Sequence, residues 1–227
     1  MRKLCLLLLF FSAGPLFSED IWQKVSLVVK ENQGWFPYNV CIQTRLLSES
    51  EKKIYEDFKE FTFVRNSDGS LDLKLIQYEE NGKDRTRRYS RHYREEYAPG
   101  DFEISTAPFI VGNGSLLYKE VTRNPCVYAF SYRDEEGLWR GTTDIDTSSW
   151  MPLRLMMTLD REPFKDEDAI INSVSVQIQF STGDPEQWYP VEIRFISEIE
   201  GTGFSHFQGQ LQELWTLKDY HWETLND

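Results

Sequence analysis

The side chains in this chain with the most chemistry to offer are three histidines, two late cysteines and a run of arginines. His92, His206 and His221 stand far apart, without the short spacings of a zinc site, and no H-E-x-x-H occurs. Cys41 and Cys126 have no histidine close in sequence to activate a thiol. There is no G-x-S-x-G and no glycine-rich phosphate loop. Asp144 and Asp146 alternate on one side of a strand pattern, but too few oxygen ligands follow for a calcium site, and they read as solvated carboxylates. The residues therefore nominate no catalytic group, no metal and no cofactor. The expectation is a protein that is not an enzyme, with an enzyme acting on an envelope component as a weaker alternative.

The basic run is the more unusual feature. Lys83, Arg85, Arg87, Arg88, Arg91 and Arg94 are interleaved with Tyr89, His92 and Tyr93. The whole chain has 25 Lys+Arg against 37 Asp+Glu, a net charge of −12, so this run is a local reversal of sign. Arg85, Arg87, Arg88 and Arg91 could contact an anionic group such as a lipid headgroup or an acidic protein surface. The plainer reading is a solvated element whose arginines pair with Glu95, Glu96 and the acidic loops. An acidic balance of this size repels phosphate over most of the surface, so nucleic acid is not an expected partner.

The chain opens as an exported protein does. Arg2 and Lys3 precede the apolar run Leu4 to Phe11, Gly14 and Pro15 break it, and Ser18-Glu19-Asp20 follows. That order predicts a signal peptide over 1–18, too short for a membrane span, and a mature periplasmic domain over 19–227. An uncleaved N-terminal anchor is the alternative. Cys41 and Cys126 would then meet an oxidising compartment, where a bridge would close a long loop. Their neighbours argue against it: Cys41 alternates with Gln43 and Arg45, Cys126 with Tyr128, Phe130 and Tyr132, so the two lie on opposite kinds of face.

Period decides the fold class. Asp20 to Asn32 reads as one amphipathic helix, with Asp20 as its cap, Trp22, Val25 and Val29 on its apolar stripe and Gly34 ending it. From Tyr38 the period becomes two: Val40, Ile42, Thr44 and Leu46; Phe61 and Phe63; Leu71, Leu73 and Leu75; Tyr128, Phe130 and Tyr132; Leu153, Leu155, Met157 and Leu159; Val174, Val176, Ile178 and Phe180. Aromatics at 15% suit strands with a large apolar face. One apolar and one polar face per strand predicts an antiparallel meander with one solvated side. The fold class expected is mainly β (α+β). Tyr97 to Ser115, rich in Pro and Gly, reads as a long loop carrying Phe102, Phe109 and Ile110, and Leu159 to Ile170 as a second, acidic loop.

Trp139-Arg140-Gly141-Thr142-Thr143-Asp144-Ile145-Asp146, followed by Trp150-Met151-Pro152-Leu153-Arg154, resembles a hairpin of the outer-membrane lipoprotein carrier family (LolA/LolB-like). Trp188-Tyr189-Pro190-Val191 resembles that family's later W-x-P strand, and Asp20 to Asn32 its opening helix. The resemblance is to uncharacterised exported, spirochaete-type members. It implies a curved antiparallel sheet or incomplete β-barrel with an N-terminal helix and a loop or helix lid. The implied function is a non-catalytic carrier or sensor that binds a lipid, acyl chain or lipoprotein in the concave apolar face, with transient membrane contact. The residues expected to line that face are Tyr128, Phe130, Leu153, Leu155, Met157, Val176, Ile178 and Phe180. Phe102, Phe109 and Ile110 are expected as the lid. The competing reading is a protein-binding envelope module that uses the sheet and the 97–115 loop.

Overall fold

The computed structural model describes residues 14–91, 93, 97, 117–120, 126–133, 136–166, 169–182, 184–201 and 207–223. The predicted signal segment therefore lies outside the described residues up to position 13. So do the three lid residues, nearly all of the 97–115 loop, and the side chain of Trp22.

The protein is mainly β, as its period-two patterning predicts. After helix α1 (Gly14–Glu31) come β1 (Trp35–Ser48), β2 (Lys53–Arg65), β3 (Leu71–Glu80) and the short β4 (Lys83–Asp84), then helix α2 (Thr86–Tyr89). The second half holds β5 (Leu117–Glu120), β6 (Cys126–Arg133), β7 (Leu138–Ile145), β8 (Pro152–Asp160), β9 (Phe164–Asp166), β10 (Ala169–Phe180), β11 (Pro190–Gly201) and β12 (Gln208–Trp222). They form one antiparallel sheet in the order β4-β3-β2-β1-β12-β11-β10-β8-β7-β6-β5, with β9 paired to β10. Two meanders are thus joined where the first long strand meets the last, from Trp35 opposite Trp222 to Ser48 opposite Gly209. The order does not close on itself, so the sheet is open.

Two expectations need correcting. Helix α1 starts at Gly14, with Pro15 in its first turn, where proline's fixed φ and missing N–H are harmless. Asp20 is accordingly inside the helix and not its cap. Within the acidic loop 159–170, Phe164–Asp166 pairs with Ala169 to Ile171 as a short strand. Gly34 does follow the helix, and the fold needs it there: a Cβ would come within 2.7 Å of the Trp222 ring. Asn81 and Gly82 both have positive φ, as a type I′ turn between β3 and β4 requires.

The core lies on one face of the sheet. Val25 and Val29 of α1 are fully buried with Val40, Ile42, Phe61, Tyr128, Leu155 and Phe180. The helix is tied down at its C-terminal end, where the Asn32 side-chain oxygen accepts the Trp188 N–H at 2.9 Å and the Trp35 indole N–H at 3.1 Å.

Candidate functional site

Register shows which side chains share the apolar face. Tyr128 stands opposite Thr143, Thr143 opposite Leu155, Leu155 opposite Ile178, Ile178 opposite Ile193, and Ile193 opposite Trp215. The row continues through Ile42 and Lys59 to Tyr78. Directly opposed residues point to the same side of a sheet, so one row crosses nine strands on one face. The next row runs Phe130, Gly141, Met157, Val176, Phe195, Glu213, Thr44 and Asp57. Gly141 is a fitted gap in it: a Cβ there would lie 2.7 Å from the Phe130 ring and 2.3 Å from the Met156 carbonyl oxygen.

Of the residues expected to line this face, Tyr128, Phe130, Leu155, Val176, Ile178 and Phe180 are buried, and Met157 packs half-buried against them. Leu153 differs. The register shifts between Asp144 and Ile145, Ile145 pairs with Pro152, and Leu153 is left half-buried beside the bulge. Cys126 is buried in a Tyr128-parity position of β6, while Cys41 shares the opposite, polar face with Glu60 and Thr216. Both thiols are free, and burial, followed by the nearby Glu60 charge, raises that of Cys41. On the polar face Asp144 is held by Arg154 at 2.7 Å, while Asp146 caps the following turn through Ser148 and Ser149. The two carboxylates are therefore occupied separately.

Cover over the apolar face is uneven. Toward the α1 end it is sealed. Toward the other end, Leu46, Leu211, Phe195, Val174 and Ile199 point the same way yet are only half-buried. These positions were not singled out by the sequence, although Val174 and Leu46 belong to its alternating series. Alternation assigns a face; it cannot say how far along the strand the cover reaches.

The β2–β3 side adds polar groups that sequence reading passed over. Asp57 and Lys59 are buried on the apolar face, with Lys59 Nζ 3.8 Å from Asp57 Oδ2. The Tyr55 hydroxyl donates to Asp57 Oδ2 at 3.0 Å, and burial first, then the contacts with Tyr78 and Asp57, push the Tyr55 hydroxyl far above its ordinary pKa. Lys59 Nζ donates to the Tyr97 hydroxyl at 3.2 Å and sits over the rings of Tyr89 and Tyr97. Two signals were present. Asp57 and Lys59 share the parity of Phe61 and Phe63, and Tyr89, Tyr93 and Tyr97 recur every four residues.

Those tyrosines fasten the basic run to the sheet. Tyr89 stacks on Tyr78 at 4.1 Å, the Tyr93 hydroxyl donates to the Leu73 carbonyl at 2.7 Å, and Thr86 Oγ1 accepts the Tyr78 N–H at 2.9 Å. Arg85, Arg87, Arg88 and Arg91 are exposed, and with Asp84 and Thr86 they line an open recess of about 400 Å³. Arg85 stands 3.8 Å from Glu80; Arg87, Arg88 and Arg91 have no ion pair with another described residue. Glu95 and Glu96, the partners expected for these arginines, lie outside the described residues.

No family model matches the chain, and no curated protein matches it. Among solved structures it is similar to a domain assigned as an outer membrane lipoprotein-sorting protein from Vibrio parahaemolyticus, at 11% identity and a TM-score of 0.38, covering 92% of this chain and 95% of that one. It is also similar to a chain of the MucA/MucB complex of Pseudomonas aeruginosa, at 8% identity and a TM-score of 0.26, covering 92% of this chain and 99% of that one. Likenesses this distant carry no argument, and the fold rests on the strand register described above.

Proposed function

We propose that the protein is an exported, non-catalytic carrier or sensor that binds a lipid, an acyl chain or a lipoprotein on the apolar face of its open sheet. One observation carries this reading. The face that is core at one end continues, in register, as a half-covered apolar surface of Leu46, Leu211, Phe195, Val174 and Ile199 at the other. A surface of this kind beside a packed core favours an apolar occupant. The Phe195 and Trp215 rings, 5.2 Å apart, offer it an aromatic wall. The sealed residues Tyr128, Leu155 and Phe180 then serve as the floor that fixes the face, and the open end as the place where a ligand docks.

A fluorescent fatty-acid analogue tests this. Micromolar affinity is about −8 kcal/mol, and burial at ~0.8 kcal/mol per CH₂ can supply it after ordering costs. Leu211→Trp should weaken probe binding while leaving the melting temperature within a few degrees. Leu155→Trp, at a fully buried position, should instead overpack the core and lower it. A wild type that never binds the probe would remove the carrier reading. It would leave the alternative, a protein-binding module that docks an envelope partner on the same sheet.

A further inference from the structure

We propose that the solvent side of the Arg85–Arg91 segment is a phosphate-binding surface that takes the headgroups of anionic lipids. Arg85, Arg87, Arg88 and Arg91 stand around one open recess, and three of the four have no carboxylate partner among the described residues. In a chain with 37 acidic residues, unpaired arginines clustered in one place are the opposite of what random pairing would leave. Among the described residues, the acids that face them are Asp84, in the recess, and Glu80, 3.8 Å from Arg85. Asp84 is already engaged, accepting the Thr86 N–H at 2.8 Å. A guanidinium offers a planar fork of donors that matches phosphate oxygens, and it keeps its charge at every working pH.

The frame behind the arginines is fixed. The Arg85 N–H donates to the Tyr78 carbonyl at 2.9 Å, and Tyr89 and Tyr93 hold the segment to β3 from its other side. The guanidinium groups thus project from an anchored backbone. The recess is shallow and open, which suits a row of headgroups better than an enclosed single ion. The chain as a whole carries a net charge of −12, so an anionic bilayer repels it except where basic groups cluster as they do here. The surface stands independently of whether the apolar face holds a ligand.

The test is flotation of the protein with vesicles of phosphatidylglycerol mixed into phosphatidylcholine, against phosphatidylcholine alone. The readout is the difference between the two, because the apolar N-terminal run can bind either. The expected result is binding that needs phosphatidylglycerol and falls with salt. Arg87→Gln, Arg88→Gln and Arg91→Gln should each weaken it roughly fivefold, and together about a hundredfold. These side chains are exposed, so the triple variant should keep the wild-type circular dichroism and its binding of the fatty-acid probe. That second readout separates failure of this proposal from failure of the carrier reading. Equal binding to both vesicle types, or a triple variant that binds like wild type, overturns the proposal. So does the absence of vesicle binding with inorganic phosphate raising the melting temperature of wild type but not of the triple variant, which would mark a site for free phosphate.

Discussion

Replacing Lys59 with methionine should cost the fold roughly 3–5 kcal/mol, which is what stranding one member of a buried ion pair typically costs. The Lys59 and Asp57 side chains are each 7% exposed, so water can do little to solvate whichever is left. Methionine keeps the unbranched stem between the Tyr89 and Tyr97 rings and removes the ammonium alone. Asp57 then keeps the Tyr55 hydroxyl on Oδ2, while Oδ1 already has no hydrogen-bond partner. For a chain of this size the loss corresponds to a melting temperature lower by roughly 6–20 °C. Urea unfolding followed by tryptophan fluorescence gives the free energy directly, and an unchanged slope against urea shows that the native state is otherwise intact. The companion variant carries both Lys59→Met and Asp57→Leu. Removing both charges should recover part of the stability, because the stranded Asp57 carboxylate is then gone. A Lys59→Met loss under about 1 kcal/mol would refute the claim that the pair is desolvated. A double variant as unstable as the single would show that packing, not the stranded carboxylate, was responsible.

Three further outcomes follow from the same geometry. Val25→Asp places a carboxylate at a fully buried position of α1 and should destabilise by a few kcal/mol in thermal melts; a neutral result would mean that the helix does not pack on the sheet. Gly141→Ala should cost about 1–3 kcal/mol, since the nearest obstruction is the Met156 carbonyl at 2.3 Å, which cannot swing aside as a side chain can; unfolding by urea measures it. Hydrogen bonds from Lys53 and Arg45 hold the Glu56 carboxyl below its ordinary range, so its contribution to stability is present above that range and is lost as pH falls through its folded pKa. Arg45→Gln should move the Glu56 titration, followed by NMR, back toward the ordinary value, and an unmoved titration would count against the contact.

The period of the apolar residues was enough to assign strands and faces, because a strand's side chains alternate strictly and the polar face faces water. Phe61 and Phe63, Tyr128 and Phe130, and Val176 and Ile178 all emerged on the face their spacing implies. The errors fall where a local pattern met a non-local constraint. Asp20 looked like the cap of its helix, but the helix starts earlier, at Gly14. Leu153 looked like a lining residue, but a bulge beside Pro152 turns it aside. Asp57 and Lys59 were passed over because a charged pair interrupts an apolar series. Their burial depends on tyrosines that lie between twenty and forty residues further on. Nothing in a strand's own sequence shows which stretch of another segment will cover it.

Dimensions explain why the cover is uneven. The eighteen residues of α1 reach roughly 27 Å at 1.5 Å per residue. The sheet's main path holds eleven strands, roughly 48 Å across at about 4.8 Å per strand. A helix about 10 Å wide can therefore seal one band of the apolar face and no more. The sealed band is the one nearest the Asn32–Trp188 tie, where the helix is anchored, and the half-covered band lies toward the opposite strand ends. The Tyr89–Tyr93–Tyr97 series closes a second area at the β2–β3 side. It brings with it the only buried lysine among the described residues and, on its outer side, the unpaired arginines. The face is thus graded across the strands, from purely apolar at β8 and β10 to charged at β2, where Asp57 and Lys59 lie. The arginines stand outside that gradient, on the solvent side of the tyrosine series, so the apolar face and the basic edge are separate surfaces.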